Sequence, residues 1–207
     1  VRVDRIGTLR GNSGASVVIA APQGSKLDLH SSNGAVVCEG IDGGILAKTS
    51  NAKLEVFDGR GSIDVSSSNG PISIEAEDAK VVARTSNARV KFRGTLAATK
   101  QTFKTSNGRI ELGLPADAQF HFEASTSNSR VQCDFPFERE DSGKRNRRLS
   151  GTVGKNAECS LVANTSNAGI DIRPLERHED QYKDGGAMAS LADLLLNSCA
   201  PTGGRVG

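Results

Sequence analysis

Thr49-Ser50-Asn51-Ala52, Ser67-Ser68-Asn69-Gly70, Thr85-Ser86-Asn87-Ala88 and Thr105-Ser106-Asn107-Gly108 repeat one four-residue signature, and its spacing decides the fold. Outward from these four, the signature recurs at Ser31-Ser32-Asn33-Gly34, Thr126-Ser127-Asn128-Ser129 and Thr165-Ser166-Asn167-Ala168. The seven asparagines are separated by 18, 18, 18, 20, 21 and 39 residues. A near-constant period of this length marks a repeat architecture in which each unit is one small supersecondary element. The last interval is close to two periods and predicts one degenerate repeat between Asn128 and Asn167.

Aligning the chain on the asparagines sorts its side chains, because successive residues of a strand point to opposite faces. Six residues before each Asn stand Leu27, Ile45, Ile63, Val81, Gln101, Phe122 and Leu161; three after stand Val36, Leu54, Ile72, Val90, Ile110, Val131 and Ile170. The columns four before and five after are apolar throughout, and Gln101 is the one residue out of place. Each unit therefore reads as strand, tight Ser-Asn corner, strand, and a looser return such as Asp42-Gly43-Gly44 or Asp58-Gly59-Arg60-Gly61. Such a unit cannot bury its apolar face alone, but successive units roughly 4.8 Å apart share a continuous core. The expected fold is all-β: a parallel β-solenoid (β-helix) of about seven or eight rungs, right-handed as strand-to-parallel-strand connections are. An antiparallel sandwich also has short, regularly spaced strands, but it does not require the same four residues at one corner of every unit.

The corner chemistry reads as structural. Asn tolerates positive φ and suits a sharp bend. Stacked asparagines (Asn33, Asn51, Asn69, Asn87, Asn107, Asn128 and Asn167) can join their amides in a ladder, and the inward Thr49, Thr85, Thr105, Thr126 and Thr165 can satisfy neighbouring backbone groups.

Around this repeat domain, residues 25–175, lie an atypical first rung or cap at 1–24 and a tail at 176–207. In the tail Met188, Leu191, Leu194 and Leu195 predict a short amphipathic helix. No apolar run is long enough to span a membrane, and residues 1–20 carry no charged-then-apolar signal segment. The start at Val1 rather than Met leaves room for an upstream targeting segment. Four cysteines with no partner in reach, Cys38 and Cys133 being several rungs apart, argue against an oxidising compartment.

The Thr-Ser-Asn-Gly/Ala corners resemble an uncharacterised, adhesin-labelled β-strand-repeat family of bacteria and fungi. The resemblance covers roughly residues 25–173. It extends through Leu114-Pro115-Ala116-Asp117-Ala118, Asp134-Phe135-Pro136 and Leu149-Ser150-Gly151-Thr152-Val153-Gly154 ahead of the last Asn. It implies a right-handed β-helix, often borne by proteins tethered at the cell envelope or cell surface, and it brings no catalytic or cofactor residues.

Net charge is only +2, so any pull on a charged partner must be local. Such a locality exists. Lys48, Arg84 and Lys104 stand three residues before their asparagines, and Lys53, Arg89, Arg109 and Arg130 stand two after, with no acid in either column. These seven would line one edge as a basic strip able to hold an anionic polysaccharide or another surface polymer; a solvated edge that discourages sheet aggregation is the plainer reading. Glu55, Glu111 and Asp171 lie close enough to neutralise part of it. The function expected is a non-catalytic structural or adhesive module. The alternative is a polysaccharide-acting β-helix enzyme. Its catalytic carboxylates would need clefts built by long loops, which 18-residue units leave no room for. The one sizeable insertion, Glu138 to Arg148, reads as a mobile loop of mixed charge. His30, His121 and His178 show no metal-ligand spacing, and no cofactor is expected.

Overall fold

The computed structural model describes residues 24–140 and 147–175, and everything below concerns those residues. They are all-β, with no helix. The expected N-terminal rung and the helix at Met188 to Leu195 lie outside the described residues.

Each signature is flanked by strands. Before the asparagines run β1 (Leu27–His30), β3 (Ile45–Thr49), the end of β4 (Leu54–Ser67), the end of β5 (Ile72–Arg84), β7 (Lys100–Lys104), β9 (Phe120–Thr126) and β13 (Cys159–Thr165). After them run β2 (Val36–Glu39), the starts of β4 and β5, β6 (Val90–Leu96), β8 (Ile110–Leu114), β10 (Val131–Cys133) and β14 (Ile170–Pro174). All belong to one sheet, because β4 and β5 pass from the second strand of one unit into the first strand of the next. The loose returns expected around Asp58 are therefore absent there. Asp58 and Asp78, both at positive φ, bend the continuous strands, with register shifts alongside.

Neighbouring units pair in parallel at the register the asparagines predict: Leu27 opposite Ile45, Ile45 opposite Ile63 and Ile63 opposite Val81. The inward columns are buried accordingly. Leu54, Ile63, Val65, Ile72, Ile74, Val81, Val90, Phe92, Phe103, Ile110 and Ile170 are at most 1% exposed and belong to one core cluster.

Two expectations fail. Spatial order does not follow chain order: β13 lies between β7 and β9, and β14 between β8 and β10. The Asn167 unit thus sits between those of Asn107 and Asn128. Nor is there a degenerate repeat between Asn128 and Asn167. That stretch supplies β11 (Glu138–Arg139) and β12 (Arg148–Val153), which pair antiparallel with each other, and β12 runs antiparallel to β9. The sheet is therefore mixed. The insertion is also no simple surface loop at its roots: Leu149 and Val153 are buried, and Phe135 packs edge-on against Phe120 at 5.3 Å. Phe137 meets Phe122 at 5.1 Å, so the segment after β10 covers the apolar end that the Asn128 unit would otherwise leave open.

Gln101 is fully buried and fully used. Its Oε1 accepts from the Val81 N–H at 2.6 Å, and its Nε2 donates to the Ala97 carbonyl at 2.8 Å. The Asn87–Asn107 interval is two residues longer than the period, and the excess falls at the return near Ala97 to Lys100, where the backbone leaves the ladder. The side chain restores the hydrogen bonds the backbone no longer makes.

Candidate functional site

The corners build one exposed ridge. Along it each Asn amide donates to the next: Asn51 to Asn33 at 2.7 Å, Asn69 to Asn51 at 2.7 Å, Asn87 to Asn69 at 2.6 Å and Asn107 to Asn87 at 2.7 Å. Asn167 donates to Asn107, and Asn128 to Asn167 at 2.6 Å. All seven asparagines of the sequence pattern are thus joined, in the spatial order 33, 51, 69, 87, 107, 167, 128. None sits at positive φ, contrary to the sequence reading. At three corners a hydroxyl braces the bend instead. Ser31, Ser67 and Thr105 each accept from the N–H three residues on, at 3.0, 2.8 and 3.1 Å, closing a side-chain turn around the Ser-Asn pair.

The same hydroxyls tie units together. Thr105 donates to the Ala88 carbonyl at 3.1 Å, Thr165 to Gly108 at 3.0 Å and Thr126 to Ala168 at 2.9 Å. Thr49 is the exception, with a buried hydroxyl that has no partner among the described residues. The Gly34 carbonyl that would match it already accepts from Ser31 at 2.8 Å.

Beside the asparagines stands a second row, Ser32, Ser50, Ser68, Ser86, Ser106, Ser166 and Ser127, every one exposed and with no side-chain hydrogen bond among the described residues. Each Asn amide retains a second N–H and each Oδ1 a second lone pair. The ridge therefore offers neutral donors and acceptors at each repeat.

The seven cations of the sequence pattern flank this ridge and are exposed, but they are not equivalent. Lys53 pairs with Glu55 at 2.8 Å, Arg84 with Asp64 at 3.4 Å, Arg89 with Glu111 at 3.8 Å and Arg109 with Asp171 at 2.9 Å. Asp171 is 8% exposed, and Arg173 reaches it from the other side at 3.6 Å. Lys48, Lys104 and Arg130 have no acidic partner among the described residues. Sequence reasoning missed two further cations. The antiparallel pairing of β12 sets Arg148 opposite Ser125, which continues the outward row Arg84, Lys104, Asn164, Ser125. Arg147 lies beside it at the corner, its carbonyl accepting from Thr126 N–H at 2.8 Å. Both are exposed and free of ion pairs among the described residues. The signal for them in the sequence was only their place at the end of the charged insertion.

Other chemistry is sparse. Burial pushes the Cys38 thiol up to about 11, and burial likewise raises Cys133 and Cys159, the last partly offset by a hydrogen bond with Gln101. All three are free and held as neutral thiols, poor nucleophiles. A cleft of 210 Å³ bounded by Leu96, Leu114, Asp117, Phe120 and Cys159 is mainly apolar. Thr152 Oγ1 lies 2.7 Å from both His121 Nδ1 and Glu140 Oε1, but it bonds the same ring nitrogen that the carboxylate approaches at 3.5 Å. The base is then not oriented through its other nitrogen, as a nucleophilic triad requires. No group of three metal-ligating side chains occurs among the described residues, and no helix there is long and apolar enough to cross a membrane. Comparison with protein-family models, with curated proteins and with solved structures finds no match to this chain.

Proposed function

We propose that the chain is a right-handed parallel β-solenoid serving as a non-catalytic structural or adhesive module, and that its corner ridge holds an anionic polymer. The observation that carries this reading is the ridge itself: an unbroken row of seven hydrogen-bonded asparagines, flanked by exposed cations of which several lack an internal partner. The in-register parallel pairing of repeats supports the solenoid. The β12 hairpin acts in it as a terminal cap, because covering an open strand edge suppresses uncontrolled sheet addition.

Placement at a cell surface follows the family resemblance of the corners, and the two buried thiols do not oppose it. Cys38 and Cys159 are buried, protonated and too far apart in the ladder to pair, so an oxidising environment would leave them intact.

The test is retention of the protein on immobilised heparin across a salt gradient, with turnover of polyuronates measured in parallel. Retention that falls steeply with salt, without depolymerisation, is the expected result. Failure to bind heparin, dextran sulfate or polyuronate at low salt would remove the anionic-polymer reading, and depolymerisation would turn the module into an enzyme.

A further inference from the structure

Resting on the anionic-polymer reading, we infer that the binding site is not the whole ridge but its capped end, where Lys104, Arg130, Arg147 and Arg148 surround the asparagines of the last three units, and that its ligand is an acidic polysaccharide strand.

The localisation follows from pairing. Lys53, Arg84, Arg89 and Arg109 already neutralise carboxylates within 4 Å. An anion docking on one of them must compete with that partner, and it gains little from a charge already compensated. Lys104, Arg130, Arg147 and Arg148 have no such competitor among the described residues. Glu123, in the neighbouring outward row, forms no ion pair there. Three successive strand pairings lead from Lys104 through Asn164 and Ser125 to Arg148. At roughly 4.8 Å each, that places the two cations about 14 Å apart along the ridge. Arg130, two residues past Asn128, supplies charge from the other side of the corner. At the opposite end Lys48 is the one cation of the strip without an acidic partner among the described residues.

The ligand class follows from what lies between the charges. Ser106, Ser166 and Ser127 present free hydroxyls, and the amides of Asn107, Asn167 and Asn128 keep one unused N–H each. These are neutral groups repeating at strand spacing, comparable to the rise of one sugar in an extended glycan. They suit a chain of hydroxyls bearing intermittent carboxylates or sulfates. A single-stranded nucleic acid would call for aromatic platforms. Among the described residues every Phe is buried or half-buried, and none lies on the ridge.

Binding of a size-defined heparin oligosaccharide, and of an oligothymidylate of equal charge, is measured by calorimetry for three proteins. These are wild type, Lys104→Gln/Arg130→Gln/Arg148→Gln, and Lys53→Gln/Arg84→Gln/Arg89→Gln. Circular dichroism and thermal melting check that the exposed substitutions leave the fold intact. The first triple variant is expected to bind the oligosaccharide about tenfold or more weakly, while the second changes affinity less than about threefold. Ser106→Ala/Ser166→Ala/Ser127→Ala should weaken glycan binding while leaving its salt dependence unchanged. Equal losses in the two triple variants would overturn the localisation. Oligothymidylate bound as tightly as the glycan, or indifference to the serine changes, would overturn the ligand class. If wild type binds neither probe, the broader reading fails with it.

Discussion

A single methyl group is the finest feature on which the ridge depends. Following the asparagines in spatial order, the next residues read Gly34, Ala52, Gly70, Ala88, Gly108, Ala168 and Ser129. A Cβ built on Gly70 would lie 1.7 Å from the Ala52 carbonyl oxygen, and one on Gly108 would lie 1.6 Å from that of Ala88. The sequence shows a preference for small residues; the structure shows that positions 70 and 108 take Gly because the backbones approach closely above Ala52 and Ala88. Gly108→Ala is therefore expected to lower stability by more than about 2 kcal/mol through overpacking, and Ala88→Gly by only about 1 kcal/mol. Urea denaturation midpoints would compare them, and equal losses would contradict the close approach. Cys38 gives a second residue-scale prediction. Burial disfavours the thiolate and pushes the folded thiol from its ordinary value of 9.0 up to about 11. The unfolded chain loses its proton first, so the Cys38 contribution is intact below about pH 9 and drains away as pH rises toward 11. The loss is on the order of 2 to 3 kcal/mol. Cys38→Val, which matches its cross-strand neighbour Val56, should show a smaller fall in stability over that window.

At the scale of the element, period-two alternation made the inward columns legible, and burial follows them closely. What alternation could not convey is how a ladder is repaired when a return grows by two residues. By pattern alone Gln101 is an error that Leu would correct, since its parallel neighbour in the same column is Leu161. By structure it replaces backbone hydrogen bonds at Val81 and Ala97 in a dry interior. Gln101→Leu should accordingly destabilise by about 1 to 3 kcal/mol, since a buried N–H loses its acceptor. Hydrogen exchange at the Val81 amide should accelerate beyond the change in global stability. A variant as stable as wild type would mean that the pattern was the better guide. The candidate site was half legible for a similar reason. Column positions gave the seven cations and the acids Glu55, Glu111 and Asp171 that pair with three of them, but only the structure reveals that Asp64 holds Arg84 and that β12 brings Arg148 into their row.

Across the described molecule, the order of the units was hidden because their signatures are interchangeable: any unit's columns fit any other's. The order is decided by the cap. Residues 134 to 153 follow β10 directly, and Phe135 and Phe137 pack on Phe120 and Phe122 of the same unit. A unit tethered to its own cap has to be terminal. The unit that comes later in the chain, β13 and β14, then fills the place inside it. This order can be read by cross-linking in the exposed serine row, leaving the asparagines untouched. Ser166 N–H bonds the Ser106 carbonyl at 3.0 Å, and Ser127 N–H bonds that of Ser166 at 3.1 Å. Adjacent units, roughly 4.8 Å apart, fall within the Cα range of a disulfide, while units two steps apart do not. Ser106→Cys/Ser166→Cys and Ser166→Cys/Ser127→Cys should each oxidise readily to a mapped cross-link, and Ser106→Cys/Ser127→Cys should remain reduced. Efficient closure of the last pair would place the Asn128 unit directly on the Asn107 unit. The chain would then run in sequence order, and the capped end, with its cluster of free cations, would be built differently.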